Sequence, residues 1–162
     1  MEFLRSLHLD GIARKAGTAI LVCPLGGIDV HAFVRFLLLV HGMPERVLLV
    51  RAHVGWVPHL PVAEQARLTT LGHGMQLVDL RYGFDDDPDV PGALHRIDRL
   101  ALDPAATRYY VVDDRRPPHA LPGWPRWRRR LYALMSAACV PTAEYFRLPA
   151  DCTVEIRAYA DA

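Results

Sequence analysis

Apolar residues run almost unbroken through "GTAILVC" at 17–23 and through the first half of "ERVLLVRAHV" at 45–54. Runs of that length, rich in Val, Ile and Leu and bounded by Gly or Pro, predict strands covered on both faces. Between them, Asp29 reads as the N-cap of a helix through about residue 39, closed by His41-Gly42 and Pro44. Phe33, Phe36, Leu37, Leu39 and Val40 make that helix apolar nearly all round, so it belongs in a core or at an interface. "GWVPHLPVAEQ" reads as a proline-broken loop. At 66–84, two apolar runs flank Leu71-Gly72-His73-Gly74, the pattern of an antiparallel hairpin whose glycines supply positive φ.

The acidic stretch "DDDPD" at 85–89 has the grammar of a helix start. Asp87 can cap a backbone N–H, Pro88 suits the first helical position, and Asp89 meets the positive end of the dipole. The helix is expected to reach about residue 100. "TRYYVVD" at 107–113 reads as a strand, and residues 125–139 as a long helix. On that helix Trp124, Trp127, Leu131, Leu134 and Ala138 share one face, with Arg126, Arg129 and Arg130 towards the other. "PTAEYFRLP" continues as a short helix, and "CTVEIRAYA" at 152–160 alternates as a final strand. The order β-α-β-β-β-α-β-α-β predicts an α/β protein: one mixed sheet of about six strands with helices packed on it.

Composition narrows the function classes. A chain of 162 residues that is 51% apolar has enough material for one domain with a sizeable core. A net charge of +1 argues against a protein built to hold nucleic acid. The three cysteines, Cys23, Cys139 and Cys152, are odd in number and widely spaced, which fits neither a disulfide framework nor a zinc site. The longest apolar stretch is far shorter than the ~20 residues a bilayer span requires. The only serines are Ser6 and Ser136, and no Gly-x-Ser-x-Gly motif occurs.

Candidate chemistry is sparse. The acidic stretch lacks the ligand spacing, central Gly and distant Glu of a calcium loop. No histidine has the i, i+4 partner of a helical metal site. The candidate ligand contacts are Gly26 and Gly27, between a strand and a helix, and Arg81 and Tyr82 at a strand end. For the first pair the alternative is a plain turn; for Arg81 it is a contact with the neighbouring acidic cluster. Arg126, Arg129 and Arg130, beside the tryptophans, either touch anionic lipid or form a solvated helix face with Trp in the core. No catalytic group, metal or cofactor is called for.

The phrase "DLRYGFDDDPDVPGAL" at 79–94 resembles "LRYGF…PDVP…AL" in the C-terminal cytoplasmic region of Kup-type potassium uptake permeases. "FLRSL" and "GTAILV" near the start, "PERVLLVRAHVGWVPHLP" at 44–61, "LGHGMQLVDLRYGF" at 71–84 and the stretch from Trp124 to Ile156 are similar to that region in the same order. The chain departs from the family pattern in its apolar helix at 30–40 and in Asp79 within a strand. The resemblance implies a single cytosolic domain over residues 1–162, with 1–16 a linker from an absent membrane region. It further implies a regulatory or structural, non-enzymatic role in K+/H+ symport at the cytoplasmic face of the bacterial inner membrane. The implied partners are the membrane-spanning part of the transporter and a second copy in a homodimer. The alternative is a stand-alone domain sensing a nucleotide, with a cyclic dinucleotide as ligand.

Overall fold

The computed structural model describes residues 14–24, 36, 43–113 and 125–157. Six strands are β1 (Arg14–Pro24), β2 (Met43–Val54), β3 (Ala66–Gly72), β4 (Met75–Tyr82), β5 (Thr107–Asp113) and β6 (Thr153–Arg157). They form one sheet in the order β3-β4-β2-β1-β5-β6. Every neighbouring pair is parallel except β3 with β4, which is the expected hairpin. His73 and Gly74 at its turn take φ of 52° and 78°. The Gly74 carbonyl accepts from the Val47 N–H at 3.0 Å, tying the hairpin to β2.

The unbroken apolar runs are explained by the register. On one face Leu21 of β1 lies opposite Leu49 of β2, and Leu49 opposite Leu77 of β4. On the other face Val22, Val50 and Val78 form the equivalent row, extended by Val111 of β5. Both faces of the central strands are buried, so polar alternation has no place there. Phe36 packs on the first face, its ring edge-on to Tyr110 at 4.9 Å. The second face is covered by α2 (Val90–His95), by Leu100, and by Phe146 and Leu148. The short helices α1 (Val62–Gln65) and α4 (Thr142–Tyr145) flank the sheet, and α3 (Arg126–Ala138) is the long helix expected from the sequence.

Four expectations are corrected. The stretch expected as a loop ends in helix α1, whose first residue follows Pro61. The α2 cap is Asp89, not Asp87: its side chain accepts from Gly92 N–H at 2.9 Å. Asp87 is instead engaged by Arg147, an ion pair that sequence spacing does not reveal. The helix also ends at His95 and passes into a 3-10 turn at Asp98–Leu100. Leu94 and Leu100 both enter the second face, and six residues on a continuous helix would turn them apart. Finally, Trp127 is not in the core: α3 buries none of its residues.

Phe36 lies in the core. Phe33, Leu37, Leu39 and Val40, the other candidate interface residues, lie outside the described residues, as do Gly26 and Gly27. Among the described residues no helix is long and apolar enough to cross a membrane.

Candidate functional site

Along β2 and β4 the first face changes character towards the carboxyl ends. Val47 and Leu49 give way to Arg51 and His53, and Met75 and Leu77 to Asp79 and Arg81. The opposite face stays apolar to the end, through Ala52 and Tyr82. The register sets Arg51 beside Asp79 and His53 beside Arg81, while Arg67 of β3 lies across from Asp79. With Glu64 of α1 these side chains line a cavity of about 300 Å³.

Arg51 donates through Nε to Asp79 Oδ1 at 2.5 Å, and its second nitrogen reaches the same oxygen. Both groups remain partly exposed, so the pair fixes geometry more than it adds stability. Three arginines and His53 face two carboxylates, leaving a net positive pit. Such a pit suits a small anion, which Arg can grip through two N–H groups at once. Asp79, a departure from the family pattern in sequence, is here the partner that orients Arg51.

Arg81 and Tyr82 do not form one clamp. Successive strand residues point to opposite faces. Arg81 is exposed in the pit, whereas Tyr82 is buried and its hydroxyl donates to the Asp89 carbonyl at 3.3 Å. Burial, reinforced by the nearby Asp89 charge, pushes the Tyr82 phenol well above its ordinary range. Nor does Arg81 reach the acidic cluster, whose four carboxylates are otherwise engaged. Asp89 caps α2 and Asp87 meets Arg147. Asp85 lies 3.6 Å from His59 Nε2.

Asp86 locks the 55–60 loop to the exit of β4. Its carboxylate accepts from Gly83 N–H at 2.7 Å and Leu60 N–H at 3.0 Å, and lies 2.9 Å from His59 Nδ1. These bonds, the Gly83 and Leu60 amides foremost, hold its pKa below the ordinary 3.8. A carboxyl depressed on folding contributes stability above its unfolded pKa and loses it as pH falls through the folded value. Asp86→Asn is therefore expected to narrow the gap between thermal midpoints measured at neutral pH and below 3.8, by circular dichroism. An unchanged gap would contradict the role given to this carboxylate.

Two apolar surfaces are left open. Trp56 is 99% exposed at the loop tip, beside exposed Val57 and Phe84. On α3, Trp127, Leu131, Leu134 and Met135 are all exposed. Arg126 and Arg130 are exposed as well, whereas Arg129 is half-buried and its Nε is buried without a hydrogen-bond partner. Among the described residues, no three His, Cys, Asp or Glu side chains converge as a metal site.

A family model described as "K+ potassium transporter C-terminal domain" matches residues 25–161. The chain belongs to that family. The "Probable potassium transport system protein Kup 2" of Cupriavidus necator is 35% identical over 165 residues, covering 96% of this chain and 25% of that protein. The "Probable potassium transport system protein Kup" of Pseudomonas savastanoi pv. phaseolicola is 30% identical over 156 residues, with 95% and 25% covered. That of Azoarcus sp. strain BH72 is also 30% identical, over 157 residues. This K+ transporter C-terminal domain thus spans about a quarter of the length of the curated relatives it matches. No solved structure matches it. The match takes in the pit, the Asp86 lock and α3 alike, and the family is a transporter domain rather than an enzyme.

Of the pit residues, sequence reading singled out Arg81 and, as an oddity, Asp79. Arg51, His53, Glu64 and Arg67 were missed. The signal is "RAH" at 51–53 against "DLR" at 79–81, polar residues at period two in strands that turn out to be aligned.

Proposed function

We propose that the chain is the cytosolic C-terminal domain of a K+/H+ symporter at the cytoplasmic face of the bacterial inner membrane. There it acts as a non-catalytic regulatory or structural module and docks beneath the membrane-spanning part. The observation that carries this reading is the match of 95% of the chain to a quarter of a potassium transport protein. The open apolar surfaces at Trp56 and on α3 support it, because exposed patches of that kind mark contacts. The sidedness is tested on the transporter polypeptide with a reporter cysteine, Ala105→Cys, in a background where the two solvent-accessible native thiols of this domain are removed by Cys139→Ser and Cys152→Ser. Ala105 is exposed in the turn before β5. A membrane-impermeant maleimide is expected to label it in inverted vesicles and not in intact cells; the reverse pattern would refute the placement.

A second reading, a nucleotide-sensing domain that takes a cyclic dinucleotide, is favoured by the net positive pit alone. Calorimetry on the chain would then give saturable binding that disappears in Arg81→Ala. Absence of heat with both adenine and guanine cyclic dinucleotides would remove this reading.

A further inference from the structure

Helix α3 is oriented against the usual rule. Its polar seam, Arg129, Tyr132 and Ser136, is the half-buried side, while Trp127 at 61% and Leu134 at 73% exposure point outward with Leu131 and Met135. On a helical projection these four form one continuous stripe, bordered by Arg130 on one side and Arg128 on the other. The Arg128 guanidinium lies 5.2 Å from the Trp127 ring centroid, so the cation folds back against the indole at the start of the helix. From residue 125 to residue 143 there is no Asp or Glu, so nothing acidic offsets the arginines along this helix.

We infer that the outward face of α3 is a docking surface for an anionic lipid bilayer. Charge complementarity selects this occupant. A helix with an apolar stripe, a tryptophan and a cationic border lies in the plane of a bilayer interface, its stripe among the acyl chains and its arginines at the headgroups. Helix α3 has thirteen residues, too few to span the bilayer and enough to lie along it. The stripe insets Trp127, Leu131, Leu134 and Met135, and the border supplies electrostatic attraction worth ~1 kcal/mol per cation, about fivefold in affinity each. This inference deepens the membrane-face reading by naming lipid as a partner, but its physical basis is α3 alone.

The test is flotation of the full 162-residue chain with phosphatidylcholine vesicles, with and without phosphatidylglycerol. Binding is expected only with phosphatidylglycerol, and to vanish near 1 M salt, where the Debye length is about 3 Å. Arg128→Gln with Arg130→Gln is expected to weaken it about 25-fold. Leu131→Asp with Leu134→Asp is expected to abolish it while the chain stays folded with only a small fall in the thermal midpoint, from the poorer helix propensity of Asp, because both side chains are already exposed. Absence of binding to anionic vesicles overturns the inference. Undiminished binding by the Leu131→Asp, Leu134→Asp variant also overturns it, and leaves the membrane-face reading standing on some other surface. A dimer in solution that the same variant converts to monomer would assign the stripe to a second copy and overturn it too.

Discussion

Phe36→Ala is expected to lower unfolding stability by about 3–5 kcal/mol, the usual cost of removing a buried phenylalanine and leaving a cavity. Phe36 is fully buried among Leu21, Leu49 and Leu77 and stands edge-on to Tyr110. It is the described residue that covers the first face of the sheet from outside the strands. Loss of its ring removes apolar burial and an aromatic pair together. A shift of the urea midpoint with an unchanged slope would measure the effect. An interface role for Phe36 makes the opposite forecast: stability of the isolated chain would barely change, and only association would suffer.

The second large effect is expected at Gly83. A Cβ there would lie 2.1 Å from the Pro58 carbonyl oxygen and 2.7 Å from His59 N, both backbone atoms that cannot swing aside. The close approach is built from three short bonds: Gly83 N–H to Asp86, Phe84 N–H to the Val57 carbonyl, and Asp85 N–H to the Pro58 carbonyl. Gly83→Ala must break this set or displace the 55–60 loop. A cost of about 2–4 kcal/mol follows from overpacking and lost bonds combined. Amide exchange should show the loop deprotected in the variant while β1 and β2 remain slow. Full protection of the loop would contradict the lock.

Much of this architecture was legible because its signals are local. Unbroken apolar runs placed the strands, and Gly72 and Gly74 marked the hairpin. The cap of α2 was harder: Asp87-Pro88 and Asp89 with Pro91 satisfy the same local grammar, and only the fold shows that Asp89 caps a helix burying Val90, Ala93 and Leu94 while Asp87 pairs with Arg147. The facing of α3 was not legible at all. Periodicity tells which side chains share a face, never whether that face turns inward, and here Trp127 turns out. The pit required a third kind of information, the register between β2 and β4. Only when Arg51 meets Asp79 and His53 meets Arg81 do scattered polar residues become one surface. Arg81 had seemed a neighbour of the acidic cluster in sequence; strand alternation sends it to the pit, while His59, Arg147 and backbone amides take the carboxylates.

The most direct test of the account is potassium uptake. In cells lacking other potassium uptake systems, the transporter polypeptide is compared with and without residues 14–157, at matched amounts in the membrane. The expected result is that removal changes the rate or the concentration dependence of K+ uptake, and that Leu131→Asp with Leu134→Asp in α3 reproduces part of the change. Identical uptake curves for the intact and truncated polypeptides would contradict the claim that this domain serves the transporter.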